Sequence, residues 1–172
     1  SGEALFFELA LEDLVRAADL FRPIHDATAG VDGWVSLEVS PLLADDTAAT
    51  VKAAAQLHAR AQRPNLFIKI PGTGAGVPAI EETIFAGVPV NVTLLFSREH
   101  YVAAAEAYMR ATERRLPAGF APNVASVAPV FVSRRDLLAQ PDVAARQRRR
   151  QGLATPPPPP TAPHDLLPSR PP

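Results

Sequence analysis

The chain has 172 residues, a formal net charge of −1 and no cysteine. The balanced charge gives no electrostatic footprint for a nucleic acid partner, and the lack of thiols excludes disulfides, thiolate zinc sites and a cysteine nucleophile. Because no apolar run is long enough to span a bilayer and the first residues lack a signal-peptide pattern, we expect a soluble, cytoplasmic protein with no membrane partner.

Helical and strand patterns alternate along the first part of the chain. In chain order they predict helix 3–26, strand 33–40, helix 47–62, strand 65–71, helix 77–85, strand 88–96, helix 98–116 and strand 123–133. Asp45, Asp46 and Thr47 offer an N-cap and a first turn for the second of these helices, Ser97 can cap the fourth, and Gly87 is the expected stop of the third. This alternation predicts an α/β fold of parallel strands, in either a doubly wound sheet or a barrel.

A glycine-rich segment, Gly72-Thr-Gly-Ala-Gly76, follows the second predicted strand. Such a segment can bind phosphate through its backbone, but this one lacks the Gly-Lys-Ser/Thr ending of a P-loop. A tight turn between strand and helix is the simpler interpretation.

The composition changes after Asp136. Residues 137–172 contain ten of the nineteen prolines, five of them consecutive, and a basic run over 146–150. A segment of this composition buries too little apolar surface to fold, so we predict a disordered tail with a polyproline II stretch. An interaction module that docks this tail on a partner is therefore one alternative function.

Polar side chains interrupt the predicted strands in their carboxyl-terminal halves, where parallel α/β folds form their sites. Glu38 lies in the first strand and Lys69 in the second, while Asn91 and Thr93 lie in the third. Because Asn91 and Thr93 are two residues apart, they face the same side. Arg134 follows the fourth strand.

Lys69 is one of only two lysines in the chain. A charged amine within an apolar strand is costly unless it is paired, so Lys69 either pairs with an acid or acts as an amine that forms a Schiff base with a carbonyl. In the second case Glu38 can shuttle protons, either directly or through water. Asn91 and Thr93 can orient substrate hydroxyls or that water, and Arg134 can hold a phosphate or carboxylate.

Each of these residues also has a purely structural interpretation. Lys69 and Glu38 can form a buried ion pair between neighbouring strands. The polar groups of Asn91 and Thr93 can be satisfied by the backbone, and Arg134 can be solvated. The four histidines show no metal-ligand spacing, so we predict no metal site.

Four segments together resemble bacterial transaldolases, in the same order and with compatible spacing. They are Gly33-Trp-Val-Ser-Leu-Glu-Val-Ser-Pro41, Asn65-Leu-Phe-Ile-Lys-Ile-Pro-Gly-Thr73, Val90-Asn-Val-Thr-Leu-Leu-Phe-Ser97, and Val124-Ala-Ser-Val-Ala with Phe131-Val-Ser-Arg134. The resemblance covers roughly residues 3–136. It implies a class I aldolase with a TIM (β/α)₈-barrel fold.

The activity implied by this resemblance is transfer of a dihydroxyacetone unit between sugar phosphates in the pentose phosphate pathway. The donor would be sedoheptulose 7-phosphate or fructose 6-phosphate, and the acceptor an aldose phosphate. By the resemblance, Lys69 forms the Schiff base, and Glu38 and Thr93 position the water used in imine formation. The residues that bind substrate hydroxyls, shape the pocket and bind phosphate are, respectively, Asn91, Phe131 and Arg134. No metal or organic cofactor is implied.

The chain departs from the family pattern at several points. The family's catalytic aspartate and Asn-Pro motif belong to earlier barrel strands, which by the resemblance would lie before Ser1. Pro129 replaces a serine that contacts substrate, and Arg135 replaces an apolar residue.

By the resemblance, residues 1–136 form an incomplete barrel of about four strands out of eight, followed by the tail. Open barrel edges predict self-association. A truncated, non-catalytic remnant of the family is the second alternative to a working transaldolase.

Overall fold

The computed structural model describes residues 2–130. In chain order its elements are α1 (Gly2–Ala27), β1 (Val35–Glu38), a 3-10 turn (Pro41–Leu43), α2 (Thr47–Ala61), β2 (Leu66–Pro71), α3 (Gly76–Phe85), β3 (Val90–Thr93), α4 (Arg98–Arg115) and β4 (Ser126–Val127). None of the helices in this part of the chain is long and apolar enough to cross a bilayer. The predicted tail, residues 137–172, lies outside the described residues.

The four strands form one parallel sheet in the order β1-β2-β3-β4. One face of the sheet carries the core, where strand residues pack with apolar residues from all four helices, including Leu11, Leu57, Ile80 and Ala107. The strand residues of this core alternate with the polar positions and are Leu37, Leu66, Ile68, Ile70, Val90 and Val92. Sequential strand order with helices on one face is the winding of a (β/α) barrel, of which this is a part, and not of a doubly wound sheet.

The fourth strand is shorter than predicted. We predicted a strand over 123–133, but within the described residues β4 comprises only Ser126 and Val127, with one further isolated bridge between Leu95 and Val130. Pro129 has no N–H to donate to a ladder, which explains why continuous pairing ends before it. Residues 131–133 of this prediction lie outside the described part of the chain.

The predicted helix caps are confirmed. The Asp46 carboxylate accepts a hydrogen bond from the N–H of Ala49 (2.9 Å), and the Ser97 hydroxyl accepts one from the N–H of His100 (3.1 Å). Gly87 follows α3 with a φ of 87°, a left-handed conformation that suits a residue without a Cβ.

Helices α3 and α4, which follow β2 and β3, are joined by charged side chains. Arg110 and Arg114 both donate to the Glu81 carboxylate, each at 2.8 Å. The hydrogen bond from Arg110, with the second from Arg114, holds the pKa of Glu81 below its ordinary value. The two β-α units are therefore tied together on the helical side.

The glycine-rich segment after β2 forms the tight turn that its sequence suggested. The Thr73 hydroxyl accepts from the N–H of Gly76 (3.0 Å) and donates to the carbonyl of Ala44 (2.8 Å), while Thr47 donates to the carbonyl of Ala75 (2.7 Å). These bonds connect the loop after β2 with the loop after β1. The carboxyl ends of the two strands are thereby held together.

Gly76 offers the sharpest test of this turn. A Cβ at Gly76 would lie 1.8 Å from the carbonyl oxygen of Pro71, whereas a Cβ at Gly74 would meet nothing within 4 Å. Because the backbone must move to admit it, we expect Gly76→Ala to lower the free energy of unfolding by roughly 2–4 kcal/mol. Gly74→Ala should change it by less than about 0.5 kcal/mol. Thermal unfolding followed by circular dichroism measures both, and equal effects would contradict the turn geometry.

Candidate active site

The polar strand residues meet on the face of the sheet opposite the core. Glu38 is the register partner of Lys69, and Lys69 is the partner of Asn91. Partners in adjacent parallel strands point to the same face, so the three side chains form one row across β1, β2 and β3. Thr93, the register partner of Pro71, lies two residues after Asn91 on β3, so its side chain is on the same face.

Lys69 and Glu38 form an ion pair. The Lys69 Nζ donates to the Glu38 Oε2 at 2.8 Å, and the side chains are 29% and 46% exposed, respectively. The pairing that the strand pattern suggested is therefore present, but it is not buried. Because exposed ion pairs contribute little to stability, the pair is poorly explained as a structural brace.

Asn91 makes a contact that the sequence pattern did not reveal. Its Nδ2 donates to the hydroxyl of Ser36 on β1, at 3.1 Å. Its Oδ1 is buried and has no hydrogen-bond partner among the described residues. The backbone does not satisfy this amide, so the structural interpretation of Asn91 fails on its acceptor side. The signal for Ser36 was its position two residues before Glu38, which places both on one face.

The end of β3 is shaped by the backbone around Thr93. Thr93 is only 6% exposed, and its carbonyl accepts from the N–H of Gly72 at 2.8 Å. The next residue, Leu94, has a φ of 60°. A leucine in this left-handed region costs on the order of 1–3 kcal/mol, and such strain clusters at functional sites. The strand pattern of 88–96 gave no sign that the chain turns there.

Aromatic rings cover the same face nearer the amino-terminal ends of the strands. Trp34 stacks on Phe67, with ring centroids 4.1 Å apart, and Phe67 is 4% exposed. His25 packs edge-on against Trp34 at 4.9 Å. Phe67 lies two residues before Lys69 on this face, so the amine stands beside an apolar layer.

The site therefore gathers four of the six predicted residues, Glu38, Lys69, Asn91 and Thr93. The other two, Phe131 and Arg134, lie outside the described residues. Within residues 2–130, no group of three or more His, Asp or Glu side chains is placed to hold a metal ion. An accessible amine beside a carboxylate and an unpaired amide acceptor is suited to carbonyl chemistry on a hydroxylated substrate.

A protein family and several of its known members are similar to this chain. A family model described as transaldolase/fructose-6-phosphate aldolase matches residues 1–155. A protein named transaldolase 1 from Streptomyces avermitilis is 52% identical over 125 residues, which cover 72% of this chain and 33% of the relative. A transaldolase from a Parafrankia species is 52% identical over 136 residues, covering 78% of this chain and 37% of the relative.

A more distant relative shows the same pattern of coverage. A protein named transaldolase 2 from a Nostoc species is 42% identical over 146 residues, which cover 84% of this chain and 38% of the relative. The chain thus spans about a third of the length of the curated relatives it matches.

Proposed function

We propose, from the premise that this chain belongs to the transaldolase/fructose-6-phosphate aldolase family, that it has transaldolase activity. This activity transfers a dihydroxyacetone unit from a ketose phosphate to an aldose phosphate. Sedoheptulose 7-phosphate or fructose 6-phosphate is the proposed donor, and the cytoplasmic pentose phosphate pathway is the proposed setting.

The observation that carries the proposal is the row of Glu38, Lys69 and Asn91 across three adjacent strands. Lys69 is the only lysine in the strands of the described sheet, and part of its side chain is open to solvent. A substrate carbonyl can therefore reach the amine without unfolding of the sheet. The amide of Asn91 supplies a hydrogen-bonding group beside it.

The proposed chemistry begins with the Lys69 Nζ, which attacks the ketose carbonyl carbon once its extra proton has left. The C–N bond forms as the carbonyl π pair moves to oxygen, and transfer of a proton from the nitrogen to that oxygen gives a carbinolamine. The hydroxyl then takes up a second proton and leaves as water, and the nitrogen lone pair forms the C=N bond of the protonated imine. The 2.8 Å contact supports a role for Glu38 in relaying these protons.

Three further roles rest on the family motifs. We assign Thr93 to positioning the water that is released when the imine forms or that attacks when it breaks down. Its position on β3, two residues after Asn91 and on the same face, supports this role. Phe131 is proposed to shape the pocket and Arg134 to bind the substrate phosphate, with the two-point geometry that guanidinium groups favour. By the resemblance, carbon–carbon cleavage also uses an aspartate of an earlier barrel strand.

Borohydride trapping tests Lys69 as the imine-forming residue. With fructose 6-phosphate and borohydride, we expect intact mass to show one reduced sugar-phosphate adduct and peptide mapping to place it on Lys69. Lys69→Met should remove the adduct, because the other residues of the row, Glu38 and Asn91, carry no amine. Lys52→Met is the matched control, since Lys52 is exposed on α2 and should leave the adduct unchanged.

The other outcomes of this experiment decide against the proposal. If the folded wild-type chain gives no adduct, the lysine does not form an imine and the chain is a non-catalytic remnant of the family. An adduct that is distributed over Lys52 and the amino terminus would show only random amine reactivity.

We also propose that the chain self-associates at the open edge of its sheet, where β1 and the neighbouring helix α1 lie. Leu11 and Ala18 of this helix are buried, whereas Leu9 and Leu20 are 56% and 79% exposed. Leu9 and Leu20 are eleven residues apart, about three turns, so they share the solvent side of the helix. A helix that is apolar on two sides favours a second partner, and β1 lies at the edge of the described sheet.

Sedimentation velocity tests this proposal. We expect the wild-type chain to sediment as oligomers at micromolar concentration, and Leu9→Lys with Leu20→Lys to shift it towards the monomer by placing charges in the contact. Leu42→Lys with Met109→Lys is the control, because these residues are 81% and 52% exposed but lie outside α1. A monomeric wild-type chain, or equal effects of the two pairs, would contradict the proposal.

A further inference from the structure

The loop between α1 and β1 contains the only Asp-Gly sequence of the chain, Asp32-Gly33. The two residues are in contact through side chain and backbone, because the Gly33 N–H donates to the Asp32 Oδ1 at 2.7 Å. Asp32 is exposed to solvent, whereas Gly33 is buried. The amide nitrogen of Gly33 is therefore held beside the carboxyl group of the preceding residue, in a loop that water can reach.

This contact has a structural interpretation and a chemical one. In the structural interpretation, the Asp32 carboxylate satisfies a backbone donor at the turn before β1. In the chemical interpretation, the contact prepares attack of the nitrogen on the carboxyl carbon, which closes a five-membered ring. Intramolecular attack is greatly favoured when the reacting groups are held together. Gly33 has no side chain to hinder the attack, and its φ of 78° is a left-handed conformation that glycine adopts without strain.

We propose that Asp32 is a modification site, at which the folded chain converts spontaneously to isoaspartate. The Gly33 nitrogen attacks the Cγ of the neutral carboxyl group, and the carboxyl OH leaves with the amide proton as water, which gives a cyclic imide. Water then adds to the backbone carbonyl carbon of Asp32. The bond from that carbon to the Gly33 nitrogen breaks, and the nitrogen stays bonded to Cγ. One water is lost and one is gained, so the reaction needs no other reactant.

The structure leaves little room for the product. The main chain of an isoaspartate runs through the side chain and is one atom longer. Even a Cβ at Gly33 would lie 2.4 Å from the backbone nitrogen of His25 on α1. The Gly33 carbonyl is also fixed, because it accepts from the Asn65 Nδ2 at 2.9 Å. We therefore expect the modification to displace the next residue, Trp34, from its stacked position on Phe67.

Ageing of the purified full chain tests the modification. Isoaspartate is labelled by an isoaspartyl methyltransferase with radioactive S-adenosylmethionine, and peptide mapping locates the label. After several weeks in the native state at neutral pH, we expect at least about tenfold more isoaspartate at Asp32 than at any other aspartate. Asp32→Glu is the matched control, because it keeps a carboxylate but would have to close a larger ring, so the label should disappear. Asp32→Asn should form the same imide sooner, with loss of ammonia.

Fluorescence of the same samples tests the structural consequence. Trp34 is the only tryptophan of the chain, so the emission reports on its surroundings alone. We expect the emission maximum of the wild-type chain to shift to longer wavelength as the label accumulates, because the indole ring leaves Phe67 for water. The emission of Asp32→Glu should stay unchanged over the same time.

Parallel incubation in urea separates the effect of the fold from that of the dipeptide. Isoaspartate that forms in urea but not in the native chain would overturn the proposal, because the contact would then protect the bond. Equal labelling of several aspartates in the native chain would also overturn it. Labelling of Asp32 without a change in emission would refute the displacement of Trp34.

Discussion

The site depends on the parallel register of β1, β2 and β3. That register aligns Glu38 with Lys69 and Lys69 with Asn91, so residues far apart in the chain become neighbours. A slip of one residue in any strand would turn its polar group into the apolar core. The buried residues on the opposite face therefore hold the register, because Ile68, Ile70 and Val92 can pack with the helices only when the polar row faces away.

Backbone contacts join the carboxyl ends of β2 and β3 beside this row. Gly72 donates to the carbonyl of Thr93, and a side chain at Gly72 would meet Leu95 at 2.6 Å. Leu94 then leaves the strand in a left-handed conformation. Along the strands, the polar row thus lies between two features. The turn at Leu94 lies beyond it towards the carboxyl ends, and the stacked rings of Trp34 and Phe67 lie towards the amino ends. Between these limits the Lys69 amine remains open to solvent.

Much of this organisation could be predicted from the sequence. Period-two and helical patterns located the elements, and polar residues within apolar strands identified Glu38, Lys69, Asn91 and Thr93. The pattern could not predict the contact between Ser36 and Asn91, because it depends on curvature of the sheet over β2. It also missed the turn at Leu94, since an apolar run does not report backbone conformation. Whether the Lys69–Glu38 pair is buried depended on packing that only the structure supplies.

The most direct test is the register itself, and the absence of cysteine from the chain makes it practicable. A short reagent that fluoresces only when it bridges two thiols can be applied to Glu38→Cys with Lys69→Cys. We expect strong bridging for this pair, which shares a face and a register position. Leu37→Cys with Lys69→Cys should bridge poorly, because the two residues lie on opposite faces. Equal bridging of the two pairs would show that β1 and β2 do not pair in this register.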